Sequence, residues 1–260
     1  MDVARCLLWL LAALPLFCRN AECRSLHRHR RIVGGLPANI TEVPYSLSLQ
    51  LDGKHMCGAV IINENWAVTT GYCYNLAVPA QNATVRAGSS VRETGGSVHT
   101  VERFVPHSHY VPAYSDYDIA VLKVKPAFRF SKKVKPVKLP KQDEEFSAGT
   151  VGVVAGWGTK NFGVPKYTRT LYKVEVPIID FAECDKSYMY FGGVNKRMIC
   201  AAYPSGGKDS CQGDNGGGLV AKRKLVGLVS WAIGCARSEY PHVYTRVSAF
   251  SNWILNNTNV

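Results

Sequence analysis

The sequence predicts an all-β protein on three observations. Its apolar or alternating runs are short, about the length of a strand. Clusters of Gly, Pro, Asn and Asp separate them at fairly regular intervals, and only one stretch has the spacing of a helix. The runs fall at residues 46–51, 59–62, 66–69, 119–124, 151–155, 172–176 and 225–231. A βαβ protein would place helical patterns between such strands, so the rhythm points to a barrel or sandwich. The helical stretch is the tail, 247–255, where Val247, Phe250 and Ile254 recur on one face. No repeat of fixed period is present. Residues 131–145 are the most charged and least apolar stretch, a natural boundary between two β halves.

Composition agrees with a folded globular chain. Of 260 residues, 47% are hydrophobic and 19% charged, which excludes disorder. Near the start, Arg5 precedes a thirteen-residue apolar run at 6–18, which Arg19 and Asn20 end. Such a run is too short to span a bilayer and suits a secretory signal peptide, although no clean small-x-small cleavage site is present. Residues 1–18 are therefore read as a signal peptide and 19–31 as a pro-segment carrying Arg24, Arg28, Arg30 and Arg31. Residues 32–260 form the folded domain. Without residues 1–31 the chain keeps 25 basic and 17 acidic side chains, a net +8. That charge favours anionic surfaces and says nothing about fold. Neither a nucleic-acid motif nor a membrane span follows the leader, so no nucleic-acid or membrane partner is expected.

Three of the nine cysteines, Cys6, Cys18 and Cys23, precede the domain. The other six, Cys57, Cys73, Cys184, Cys200, Cys211 and Cys235, are an even set that in a secreted chain argues for three disulfides. Their spacing leaves fifteen pairings open. It offers no paired C-x-x-C and no Cys/His cluster, so neither a metal nor a cofactor is expected. The glycosylation candidates are Asn39, Asn82 and Asn256, each opening an N-x-Thr sequon.

Several motifs, in order, then narrow the reading. Ile32-Val33-Gly34-Gly35 follows Arg31, and Asp118-Ile119-Ala120-Val121-Leu122 and Gly156-Trp157-Gly158-Thr159 come next. Lys208-Asp209-Ser210-Cys211-Gln212-Gly213-Asp214, Val229-Ser230-Trp231 and Val243-Tyr244-Thr245-Arg246-Val247 complete the series. Over residues 32–260 the chain resembles the trypsin/chymotrypsin-like serine proteases. The resemblance implies two six-stranded antiparallel β-barrels, a C-terminal helix, and the pairings Cys57–Cys73, Cys184–Cys200 and Cys211–Cys235. It also implies cleavage at Arg31-Ile32, after which the new Ile32 amine pairs with Asp214.

The departures fall where that family does its chemistry. Its histidine lies in Thr-Ala-Ala-His-Cys, which here reads Thr69-Thr70-Gly71-Tyr72-Cys73. Its serine lies in Gly-Asp-Ser-Gly-Gly-Pro, which here reads Gly213-Asp214-Asn215-Gly216-Gly217-Gly218. Of the triad positions Tyr72, Asp118 and Asn215, only Asp118 keeps the family residue. A neutral phenol is no general base at neutral pH, and a carboxamide nitrogen, delocalised into its carbonyl, is no acyl-transfer nucleophile. The sequence therefore predicts an inactive site. Among His55, His99, His107, His109 and His242, only His242 is expected near the cleft, and no nucleophile stands beside it.

The specificity pocket departs as well. Asp209 matches the pocket-floor carboxylate, but two positions that are glycine in trypsins are Ala232 and His242. An imidazole there should fill the slot and meet Asp209. The backbone of Gly213 and Asn215 keeps the oxyanion-hole sequence. Only Glu93 supplies an acid in the loop 89–97, so a trypsin-type calcium site is not expected.

Residues 97–103, 206–210 and 234–237 resemble the group 3 trypsin-like allergens of mites. With the triad and pocket altered, the chain is similar to the scabies mite inactivated serine protease paralogues. That resemblance implies secretion and binding of host complement proteins. Two other readings stay open: a residual or altered endopeptidase, and a polyanion-binding homologue using Lys123, Lys125, Lys132, Lys133, Lys135, Lys138 and Lys141 with Lys222-Arg223-Lys224.

Overall fold

The computed structural model describes residues 33–77, 82–164 and 166–259. The signal peptide, the pro-segment and the Arg31-Ile32 bond lie outside the described residues.

A first group of strands comprises β1 (Leu36–Pro37), β2 (Ser46–Leu51), β3 (Lys54–Ile61) and β4 (Trp66–Thr69). Helix α1 (Gly71–Ala77) follows, then β5 (Ala83–Ala87), β6 (Ser97–Pro106) and β7 (Ala120–Lys125). After a long connection come β8 (Val151–Gly156), β9 (Tyr172–Pro177), helix α2 (Phe181–Tyr188) and β10 (Met198–Ala201). The chain ends with β11 (Gly218–Ala221), β12 (Lys224–Trp231), β13 (His242–Arg246) and helix α3 (Ser251–Thr258).

The first barrel has six strands, closed in the order β2-β3-β4-β7-β6-β5. The second half differs from the expected six-stranded barrel. It is a seven-stranded sheet ordered β1-β9-β8-β11-β12-β13-β10, because the two-residue β1 is added at the edge of β9. Its curl is completed by the isolated bridge Ile178↔Ala201, with the Ile179 amide donating to Cys200 O at 2.9 Å and the Ala202 amide to Pro177 O at 3.1 Å. The pairings Cys57–Cys73, Cys184–Cys200 and Cys211–Cys235 are all formed.

Strand alternation builds the barrels and joins them. In β3, Cys57, Ala59 and Ile61 enter the first barrel core, while Val60 points the other way. In β4 and β7, Ala67 and Leu122 face inward, while Val68 and Val121 join Leu228, Phe250 and Ile254 between the barrels and α3. The second core gathers Val154, Val174, Leu219, Val229 and Tyr244. This period of two is what a strand imposes when both its faces are covered.

The tail enters its helix through a 3₁₀ turn at Val247–Phe250. Two further helices correct the expectation that only the tail is helical. α2 is eight residues long, little more than two turns, and α1 seven; both are too short for an apolar repeat to show. No helix among the described residues is long and apolar enough to cross a membrane.

Candidate functional site at the barrel junction

The barrels touch where β3 meets the loop after Cys211. Gly58 N–H donates to Asn215 O at 2.8 Å, and a Cβ on Gly58 would stand 2.7 Å from the Gly217 backbone. This close approach sets Asn215 opposite α1 and the segment before β7. The three triad positions therefore come together, although 46 residues separate Tyr72 from Asp118 and Asn215 lies far beyond both.

Asp118 is almost fully buried. Its Oδ1 accepts the Tyr72 backbone N–H at 2.8 Å, and its Oδ2 accepts the Ser230 hydroxyl at 2.5 Å. Burial raises its pKa to about 6 against the pull of those donors. The Asn215 amide nitrogen donates to Ser230 O at 2.6 Å. Ser230 thus touches both Asp118 and Asn215, a role the sequence reading missed although it lies in Val229-Ser230-Trp231. The Tyr72 side chain is 43% exposed and lines a groove of about 420 Å³ with Leu76, Tyr110, Asn215, Ser230 and Trp231.

Tyr110 was also missed, and its signal was Gly71. A Cβ at position 71 would lie 2.8 Å from the Tyr110 ring, so glycine lets that ring settle onto the start of α1. A small departure from Ala-Ala-His-Cys reports a neighbour far along the chain.

Gly213 and Asn215 are the positions where the resemblance places an oxyanion hole. Gly213 takes φ +92°, and neither its N–H nor that of Asn215 has an acceptor among the described residues. Behind it sits His55, correcting the expectation that only His242 approaches the site. Its Nε2 is 2.9 Å from Gly213 O and its Nδ1 is 2.8 Å from Ser48 Oγ. Burial lowers its pKa to about 4, so this imidazole is a neutral brace. His99 is buried on β6, while His107 and His109 pack around Tyr117.

Asp214 is buried with Oδ1 accepting Gly158 N–H at 2.8 Å and Oδ2 accepting Cys211 N–H at 2.9 Å. Burial raises its pKa to about 6. A Cβ on Gly156 or Gly158 would overlap this carboxylate, at 2.1 and 2.4 Å, which accounts for both glycines around Trp157. Its expected partner, Ile32, lies outside the described residues.

At the specificity position, His242 and Asp209 are both buried. His242 Nδ1 stands 3.2 Å from Asp209 Oδ1, a close contact without the alignment of a hydrogen bond. Asp209 Oδ2 instead accepts Ala236 N–H at 2.8 Å. The imidazole lies against the Tyr244 ring, and Ala232 is half-buried.

A family model described as Trypsin matches residues 32–254. The chain belongs to the trypsin family. It is 41% identical over 232 residues to Trypsin 5G1 of Aedes aegypti, covering 88% of this chain and 86% of that protein. It is 39% identical to the Vitellin-degrading protease of Bombyx mori over 86% of this chain and 84% of that one. With Trypsin delta of Drosophila melanogaster it shares 40% identity, over 87% and 88% respectively.

The three sequon asparagines are exposed. Asn39 also caps the turn Ile40–Glu42, accepting Thr41 N–H at 3.0 Å, and Asn82 donates to Asp52 Oδ1 at 3.2 Å. Asn256 lies within α3.

Proposed function

We propose that this trypsin-family chain is a secreted pseudoprotease without peptidase activity, acting as a binding protein that inhibits host complement. One observation carries the loss of catalysis. Asp118 is held by the Tyr72 backbone and the Ser230 hydroxyl with no imidazole on it among the described residues, and the Asn215 amide is tied to Ser230 O. Asp118 is the one proton-accepting side chain at these three positions, and neither Tyr72 nor Asn215 supplies the imidazole or the hydroxyl nucleophile that it would have to serve. Triad members act as a unit, so loss of such a group costs on the order of 10⁶ in turnover on a convergent triad. A changed mechanism would need a new nucleophile and base.

Secretion is supported by the apolar leader and by three disulfides, which persist in oxidising compartments. The complement partner follows from the resemblance to the inactivated mite paralogues. A second reading, an altered endopeptidase, draws on the unengaged N–H groups of Gly213 and Asn215 and on relatives named as trypsins.

Purified chain cleaved after Arg31 separates these readings. It should leave fluorogenic Arg and Lys peptides intact while reducing complement haemolysis at micromolar concentration. Turnover that copurifies with the chain through successive columns would favour the endopeptidase. Full haemolysis at that concentration would remove the complement reading.

A further inference from the structure

We propose that a basic strip remote from the cleft binds a sulfated polysaccharide chain. From Lys125 to Lys141 the sequence holds seven cations and no acid. This stretch is the connection from the first barrel to the second. The second barrel adds the β11–β12 hairpin, whose turn is Lys222-Arg223. Leu225 N–H donates to Lys138 O at 2.9 Å, and Lys138 bridges Lys224 in parallel. Two basic runs 80 residues apart are thereby joined into one surface.

The cations there are not spent on internal pairs. Lys132, Lys133, Lys135, Lys138, Lys222 and Arg223 are exposed, and none has an ion-pair partner among the described residues. Pairing occurs only at the margins, where Lys123 meets Glu102 and Lys224 meets Glu144.

The turn itself is an independent observation. Lys222 and Arg223 take φ 49° and 62°, the left-handed region at both central positions of a two-residue hairpin. Such turns favour Asn-Gly, and a pair of long cationic side chains is an unfavourable occupant. Strain of this kind persists only where the surrounding structure over-determines it, here the β11–β12 ladder closed at Ala221↔Lys224. None of these residues lines the groove at Tyr72, so the inference stands whether or not the cleft is inert.

A strip running along an extended connection matches a linear polymer of regularly spaced sulfates. One large apolar side chain, Phe130, is exposed within it, at 44%. That is too little for insertion into a lipid surface, where an apolar face must be buried.

The test uses the secreted chain and heparin, with the Lys222→Asn/Arg223→Gly variant beside it. This replacement supplies the residues the turn prefers, so folding is preserved, and thermal unfolding checks it. The natural chain should bind heparin at 0.15 M salt and ignore desulfated heparin. The variant should bind roughly tenfold more weakly, with a log K against log salt slope shallower by about two, one per released counterion. A Lys186→Ser/Lys196→Ser variant, with the same net charge change elsewhere, should bind as the natural chain does. Equal losses in both variants would overturn the proposal, as would no heparin binding. Binding to phosphatidylserine vesicles in place of heparin would do the same.

Discussion

Asp118 keeps a carboxylate in the dry junction between the barrels, yet its hydrogen-bond partners among the described residues are neutral donors. Its pKa, raised to about 6 by burial, means that the folded state holds a proton that the unfolded chain releases near 4. Between those values the native state binds more protons, so this group's contribution falls as pH rises through that window. His55 works oppositely: its contribution is present above about 6.5 and is lost as pH falls towards its lowered value of about 4. The two slopes overlap in the natural chain, so a variant is needed to isolate Asp118. Asp118→Asn can still accept the Tyr72 N–H and can donate to Ser230 Oγ. Its stability relative to the natural chain should grow by up to about 3 kcal/mol between pH 4 and pH 7, read by urea unfolding. Parallel profiles for the two proteins would show that Asp118 is not the proton-binding group. At this scale the sequence was most legible through the family pattern, which named Tyr72, Asp118 and Asn215. Ser230 and Tyr110 stayed hidden because their roles exist only through contacts across the chain.

Elements were legible in proportion to how one-sidedly or how completely they are buried. β2 and β4 match the runs at 46–51 and 66–69 because nearly every residue is covered. β6, the longest strand, went unread: of its ten residues from Ser97 to Pro106 five are exposed, four half-buried and only His99 buried, so no alternation of buried and exposed positions shows. β5, β10, β11 and β13, four or five residues long, also went unread, although β10, β11 and β13 are nearly as covered as β4. α2 had a different signal, its cap. Asp180 Oδ1 accepts Ala182 N–H at 2.9 Å and Glu183 N–H at 3.4 Å, with Glu183 in the first turn. An exposed cap of this kind contributes about 1 kcal/mol. Asp180→Ala should therefore lower thermal stability by about that amount, and Asp180→Ser should recover most of it. Equal losses in the two variants would mean that α2 is held by the Cys184–Cys200 disulfide and its packing alone.

At the scale of the molecule, the two barrels form one site from loops that neither completes alone, and the changes there lie in two separate places. Tyr72 and Asn215 belong to the junction, whereas His242 belongs to β13 and meets Asp209 inside the second barrel. Repair of one place does not repair the other. Tyr72→His/Asn215→Ser returns a base and a nucleophile beside Asp118, but an Arg or Lys substrate still needs its charge to reach Asp209. With the imidazole in place, a substrate cation would have to displace it or stay solvated outside. The double variant should therefore fold normally and cleave Arg peptides at background rate. Adding His242→Gly and Ala232→Gly removes the side chains at both slot positions and leaves Asp209 buried without its imidazole neighbour. A buried carboxylate with no charged partner favours the substrate that supplies a cation, a discrimination that polar complementarity can make large. The fourfold variant should exceed the double variant by at least about a hundredfold in kcat/KM on an Arg peptide. Equal rates would mean that His242 leaves the slot in solution, so that the junction alone decides whether this fold can cut a peptide bond.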